Sequence, residues 1–315
     1  MDVANGRLMS PPGSDRRFTL VLNPWAGIGS AKYLQEQILD ELKGLDLEVH
    51  MLQKGEDIRP IVAEALSSGS TDVIAAGGDG TVSAVAGSLS EKDATLGIIP
   101  TGTANMLARE LGIPISVALA ARHIRRGLDV VRMDAMATHD RCFVYQVVIG
   151  AGSEALSKIS RAEKRVLGRT VYALAGLRLM TEYHPIRLKG SIDGREVRMW
   201  SNQVMIANAG IMGLDPFRLG PDIRLDDGKV DIIAMHGRTR LEFLNSGLDL
   251  MLGNYKGSHG LRYFHARHDI YLDTEPPSII KADGEFIGRT PLSLRVLPGA
   301  VRVYAPYKAG RRQAP

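Results

Sequence analysis

The stretch Ala75-Ala76-Gly77-Gly78-Asp79-Gly80-Thr81-Val82 decides how the rest of the chain is read. An apolar run from Asp72 to Ala76 leads into it and reads as a buried strand, while Val82, Val85, Ala86 and Leu89 follow at helical spacing. Three glycines in four positions leave backbone N–H groups uncovered where the helix begins. A polyphosphate can there meet the main chain and the positive end of the helix dipole together. Asp79 is out of place in a loop that only binds anions, since its carboxylate repels phosphate unless a cation or a proton transfer is involved. It points to phosphoryl transfer; a plain strand-to-helix turn is the alternative.

Upstream, Phe18 to Leu22 reads as a strand running into Asn23-Pro24-Trp25-Ala26-Gly27-Ile28-Gly29-Ser30, where Ser30 can cap a helix with Ala31, Leu34, Ile38 and Leu42 inward. This loop lacks the Lys-Ser/Thr ending of a Walker loop, and Lys32 stands where a dinucleotide fingerprint has its third glycine. Asn23 and Gly27 therefore suggest a phosphate loop of another type, or a bare turn. Leu47 to Leu52 is a strand and Asp57 to Ser67 a helix. Ala94 to Ile99 is the next strand, ending in Pro100-Thr101-Gly102-Thr103-Ala104-Asn105 before helices over Met106 to Leu111 and Ile115 to Arg126. Strands alternating with helices imply a parallel sheet covered on both faces, whose ligands sit beyond the strands' carboxyl ends. The loops at Asn23, Gly77 and Thr101 all fall there.

After Gly127 the texture changes. Val130 to Met136 and Cys142 to Ile149 read as strands, Arg161 to Met180 as a long helix. Then Asp193-Gly194, Asp227-Gly228 and Asp283-Gly284 punctuate a run of β signals as hairpin turns. Gln203 to Ala207, Val230 to Met235, Ile270 to Asp273, Ser278 to Ala282 and Leu292 to Tyr304 are the strand candidates. The expected architecture is an α/β domain followed by a mainly antiparallel β domain, with the boundary near Gly127 to Val130.

The chain has 315 residues, 44% apolar and 23% charged, enough for two cores and too apolar for global disorder. Aromatics at 5% are too sparse for a base-stacking surface, so no nucleic-acid partner is expected. A net charge of +4 suits anionic substrates or an anionic membrane surface. The single cysteine, Cys142, excludes an internal disulfide and a cysteine-based zinc site. No run approaches the roughly 18 apolar residues of a spanning helix. The polar Met1 to Arg17 segment is no secretory signal. A cytoplasmic location is the reading.

Asp283-Gly284-Glu285 is a hairpin turn by default, but a kinase needs a base near the acceptor hydroxyl, or carboxylates for Mg²⁺, opposite its phosphate loops. Asp227, in Leu225-Asp226-Asp227-Gly228-Lys229, could hold a hard cation with backbone carbonyls, and a turn alone is again the default. His265 and His268 stand three apart, which in a strand puts them on opposite faces and disfavours chelation. Arg122, Arg125 and Arg126 on one helix, and Arg161, Lys164, Arg165 and Arg169 on another, are solvated faces or a docking surface for anionic lipid.

Taken together, these motifs resemble the diacylglycerol kinase catalytic-domain superfamily, in particular the bacterial YegS-like lipid kinases related to sphingosine and ceramide kinases. The resemblance runs from about Phe18 to Tyr304 and rests on Asn23 to Gly27, Gly77 to Thr81, Pro100 to Asn105 with Leu111 to Pro114, Leu225 to Gly228, and Asp283 to Glu285. It implies an α/β domain akin to NAD kinase and phosphofructokinase over 17–128 and a β-sandwich lipid-substrate domain over 129–307. A disordered leader over 1–16 and a basic tail over 308–315 flank them. It further implies ATP held by Asn23, Gly27, Gly77, Gly78, Asp79, Gly80, Thr81 and Thr103. Glu285 would accept the proton from a lipid hydroxyl, with Asp283 beside it and Asp79 supporting the Mg²⁺–phosphate arrangement. A structural Mg²⁺ site would use the Asp227 carboxylate and main-chain oxygens of Arg224 and Lys229.

The chain departs from the family pattern at Met106, where many members have Asp, at Ala26, at Ser153-Glu154, and at Met51. The expected partner is a membrane lipid, such as diacylglycerol, met by peripheral contact at the inner face of the membrane. A homodimer is among the oligomeric options. The rivals are an NAD kinase-like enzyme and a catalytically silent lipid- or nucleotide-binding regulator.

Overall fold

The computed structural model describes residues 16–27, 31–127, 129–150, 185–211, 218–237, 239–255 and 258–306. The helix expected over Arg161 to Met180, Ser153-Glu154 and the Ser30 cap lie outside these residues.

The first half builds four parallel strands, β1 (Arg17–Leu22), β2 (Asp46–Met51), β3 (Asp72–Gly77) and β4 (Thr95–Pro100), in the order β2-β1-β3-β4. Every residue of β3 and β4 is buried, the mark of a central parallel strand covered on both faces. Their side chains alternate between two cores. Val73, Ala75, Leu96 and Ile98 pack with α2 (Ile58–Ser67) and α3 (Asp79–Ser88). Ile74, Ala76 and Ile99 pack with α1 (Ala31–Glu41) and α5 (Val117–Arg126). Burying each valine, leucine or isoleucine among them contributes about 1.5–3 kcal/mol. The short α4 (Met106–Glu110) follows the third loop.

The second half is antiparallel and layered. One sheet of six strands runs β12-β11-β10-β7-β14-β15. These are β7 (Gln146–Gly150), β10 (Gln203–Ala207), β11 (Val230–Met235), β12 (Leu261–Ala266), β14 (Ile279–Ala282) and β15 (Glu285–Arg289). Its inner face (Val147, Ile149, Val204, Ile206, Ile232 and Ile280 among others) meets Leu188, Ile270, Leu272, Leu292 and Leu294 of the facing sheet. Those residues stand on β8 (Ile186–Ile192), β13 (Asp269–Glu275) and β16 (Leu292–Tyr304), with β9 (Arg195–Ser201) at the edge. The outer face of the six-stranded sheet is covered by Phe243 and Leu250 of α6 (Arg240–Leu252) together with Leu219 and Ile223.

The two halves share a sheet. β16 pairs in parallel with β4 through Arg302–Thr95 and Val303–Leu96, and antiparallel with β13 and with β5 (Val130–Ala137). The parallel strands thus continue into the sandwich as one sheet of ten strands.

Three local expectations change. The strand read over Cys142 to Ile149 is broken into β6 (Cys142–Phe143) and β7, because the Val144 and Tyr145 N–H groups turn to the Asp283 carboxylate. Asp227-Gly228 leads into β11 without a strand before it, so it closes no hairpin; the Gly228 N–H instead donates to Asp134 Oδ2 at 2.7 Å. β12 and α6 are elements that the β signals do not mark. Asp193-Gly194 and Asp283-Gly284 do close hairpins, with φ of 48° and 77°, and 48° and 91°, the positive pair a type I′ turn needs.

Candidate active site

The three loops meet at the carboxyl ends of β1, β3 and β4. Asn23 braces the first: its backbone N–H donates to the Ala76 carbonyl at 2.8 Å, its Nδ2 to Thr81 Oγ1 at 2.8 Å, and its Oδ1 accepts the Trp25 N–H at 3.0 Å. Gly27, at φ 85°, lies so close to the Thr101 carbonyl oxygen that any Cβ there would collide with it. The second and third loops touch backbone to backbone. The Thr101 N–H donates to the Gly77 carbonyl at 3.0 Å, and a Cβ on Gly102 would stand 2.5 Å from the Gly78 Cα. The glycines are there because two main chains cross in contact.

α3 starts with Gly78 as its N-cap, and no side chain caps it among the described residues. Its first N–H groups are thus open to an anion. Thr81 is buried beneath, Gly80 and Thr103 are exposed at the rim, and Asn105 folds back to pair with both the N–H and the carbonyl of Gly102 at 2.9 Å.

Asp79 points sideways rather than at the phosphate position. Its Oδ1 accepts the Met106 N–H at 2.5 Å, with the Asn105 and Leu107 N–H groups beside it. It therefore holds the beginning of α4, and burial raises its pKa against the pull of those N–H donors. Because this bond uses the backbone of residue 106, it is indifferent to the Met side chain found there.

The Asp283-Gly284-Glu285 turn joins β14 to β15. Asp283 accepts three successive N–H groups, Val144 at 3.0 Å, Tyr145 at 3.0 Å and Gln146 at 2.9 Å, and the Ser83 hydroxyl of α3 lies near it. Burial raises its pKa, and the three N–H groups and the nearby Ser83 oppose the rise. The turn thus lies beside the same helix whose start faces the phosphate site. Glu285 is exposed and lies in the field of Arg59, which is forked onto Asp57 at the start of α2. Tyr145 is buried near three acidic residues: burial, then Glu110, Asp79 and Asp283, push its pKa well above the usual phenol value.

The Asp227 turn is a separate, partly buried acidic place. Lys229 Nζ lies 3.4 Å from Asp227 Oδ2 and 3.7 Å from Asp231 Oδ1, and His265 Nδ1 pairs with Asp231 at 2.5 Å. The Arg224 side chain pairs with Asp226 at 3.2 Å. Asp227 Oδ1 is buried with no hydrogen-bond partner among the described residues, the condition a bound cation would relieve. Asp134 secures the turn by accepting the Gly228 and Gly299 N–H groups, each at 2.7 Å. No group of three or more His, Cys, Asp or Glu side chains among the described residues is arranged to hold a metal. A site here would thus rest on one carboxylate and main-chain oxygens. His265 pairs with Asp231 on β11, while His268 stands in the β12–β13 turn, where its backbone N–H donates to Asp193 of the β8–β9 hairpin.

Sequence reasoning missed Ser83, Asp134, Glu110 and Tyr145. None lies in a glycine motif, and each acts on a partner distant along the chain.

Residues 17–137 match the family model described as the diacylglycerol kinase catalytic domain, and residues 146–305 match the YegS C-terminal NAD kinase beta sandwich-like domain. The chain is 31% identical over 271 residues to a protein named "Probable lipid kinase YegS-like" from Pseudomonas aeruginosa (strain UCBPP-PA14), covering 84% of this chain and 86% of that one. It is 25% identical over 292 residues to the "Diacylglycerol kinase" of Bacillus subtilis (strain 168), covering 88% and 92%. Among solved structures it is similar to one described as "a putative diacylglycerol kinase" from Bacillus anthracis str. Sterne, with a TM-score of 0.77 at 26% identity, covering 92% of this chain and 97% of the other.

Proposed function

The chain belongs to the diacylglycerol kinase family in its YegS-like form, and from that premise we propose that it is an ATP- and Mg²⁺-dependent lipid kinase acting on a lipid hydroxyl such as that of diacylglycerol. The observation that carries this reading is the placement of the Asp283-Gly284-Glu285 turn near Ser83 of the helix whose uncapped start faces the phosphate loops. The lipid oxygen attacks the γ-phosphorus, the bond to the β,γ-bridging oxygen breaks with ADP leaving, and Glu285 takes the hydroxyl proton. Backbone N–H groups of the glycine loops hold phosphate charge, and Asp79 keeps the third loop in place. Mg²⁺ would neutralise phosphate charge at the nucleotide. At the Asp227 turn, the Asp227 carboxylate and main-chain oxygens of Arg224 and Lys229 would hold a second, structural ion.

No helix among the described residues is long and apolar enough to cross a membrane. Peripheral contact with an anionic lipid surface fits the reading of a lipid acceptor. The experiment is transfer from labelled ATP with Mg²⁺ to a panel of membrane lipids and to NAD. Label on a lipid and none on NAD is the expected result. Label on NAD alone would mark an NAD kinase-like enzyme, and nucleotide binding without transfer a silent regulator. Glu285→Gln should abolish transfer while ATP affinity stays within about threefold of wild type, since the residue meets only the acceptor side.

A further inference from the structure

One buried carboxylate ties the two halves of the site together without facing either substrate. Glu110 ends α4, and its side chain is 8% exposed. Its Oε2 accepts the Ile211 N–H at 2.9 Å and its Oε1 accepts from Arg218 Nη2 at 2.8 Å. Ile211 and Arg218 form an antiparallel bridge with each other, so a single carboxylate holds both sides of that bridge to α4. The Tyr145 hydroxyl donates to the Ile211 carbonyl, and its own backbone N–H donates to Asp283 Oδ1 at 3.0 Å. At the other end of α4, Asp79 holds the Met106 N–H. A continuous path of hydrogen bonds and one helix turn thus joins Asp79 to Asp283.

Adhesion alone does not call for an acid here, because an apolar side chain would hold the same surface without desolvating a charge. What the carboxylate adds is direction: two donors fixed at set distances from one helix end.

We propose that Glu110 is a positioning residue for the phosphoryl transfer, setting the phosphate loop that Asp79 holds at a fixed placement against the turn that carries Glu285. The proposal rests on the kinase reading above. Placement matters because an error of about 1 Å between reacting groups can cost on the order of a hundredfold in rate.

The test uses the full chain with Glu110→Ala, Glu110→Gln and Tyr145→Phe. In amide hydrogen exchange without nucleotide, Glu110→Ala should speed exchange at Ile211 and at Val144 to Gln146 while β1, β3 and β4 keep their protection. In lipid phosphorylation, its kcat should fall about tenfold or more with KM for ATP within about twofold, and Glu110→Gln should fall between it and wild type. Glu110→Ala combined with Tyr145→Phe should lose less than the product of the two single losses, because both act on Ile211.

Wild-type kcat in Glu110→Ala, fully multiplicative losses, or exchange that rises evenly over the whole chain would overturn the proposal. If Glu110→Ala does not fold, Glu110→Gln carries the same comparisons. If the wild-type chain transfers no phosphate, the kinase reading has failed. The exchange measurement still decides whether Glu110 couples α4 to the Asp283 turn: local acceleration supports the coupling, and none removes it.

Discussion

An ionised carboxylate offers about four lone-pair sites, and three N–H donors with the Ser83 hydroxyl close by leave Asp283 little capacity for a lipid hydroxyl. Glu285, exposed two residues on, has no such commitment, which is why the proton-accepting role is assigned to it. The two acids should therefore separate on substitution. Asp283→Asn turns an amide group toward N–H donors and should cost about 2–4 kcal/mol in urea unfolding, with turnover falling too. Glu285→Gln should leave the unfolding midpoint unchanged. In the glycine loops, Gly102→Ala forces apart two main chains in contact and should weaken nucleotide binding about tenfold or more, the equivalent of roughly 1.4 kcal/mol. Titration with a fluorescent ATP analogue would read it. The motifs single out Asp79, Asp283 and Glu285. What Asp79 and Asp283 bond was not legible, because the partners lie 27 and 137–139 residues away and only the packed fold brings them together.

At the scale of elements, the Asp193-Gly194 hairpin gives a pH-dependent test. Asp193 accepts the Arg267, His268 and Asp269 N–H groups at 2.8, 2.9 and 3.1 Å. Burial works against the charge, yet these bonds outweigh it and hold the pKa below the ordinary carboxylate value. The stabilisation is therefore present above the unfolded-state pKa and lost as pH falls through the lowered folded one. Asp193→Asn keeps the turn but removes the charge. The stability gap to wild type should be under about 1 kcal/mol, given the exposed site, and should close as acid is added. Elements with one clean period were legible: β1, β3 and β4 as apolar runs, and α2, which begins at Ile58 with Asp57 as its cap rather than its first residue. β12 was not, since it lacks a clean alternation of buried and exposed positions: Tyr263 and Phe264, adjacent in the strand, are both half-buried. α6 carried a signal that could have revealed it, Thr239 three residues before Glu242. The Thr239 hydroxyl does accept the Glu242 N–H at 3.2 Å.

At the scale of the whole molecule, the end of the sheet opposite the nucleotide loops is closed by Arg16, which the sequence reading leaves in the leader. Its guanidinium donates to both Asp72 oxygens at 3.1 and 3.2 Å and to the Tyr304 hydroxyl at 2.5 Å, and lies over the rings of Phe18 and Tyr304. Arg16→Ala would leave Asp72, almost fully buried, without its cation. It should cost about 2–4 kcal/mol in thermal unfolding and leave KM for ATP unchanged, the loops being at the far end of the strands. The two-part plan was legible because strand–helix alternation gives way to Asp-Gly turns near Gly127. The joint between the parts was not, since no local pattern says that β16 will pair with β4. That joint bears on how the protein is made. During synthesis from the N-terminus, β4 emerges about two hundred residues before Arg302 and Val303, its partners in β16. For that interval the open edge of a hydrophobic sheet has nothing to pair with, and an unpaired edge invites other chains. The nascent protein should thus depend on chaperones until its last strand leaves the ribosome.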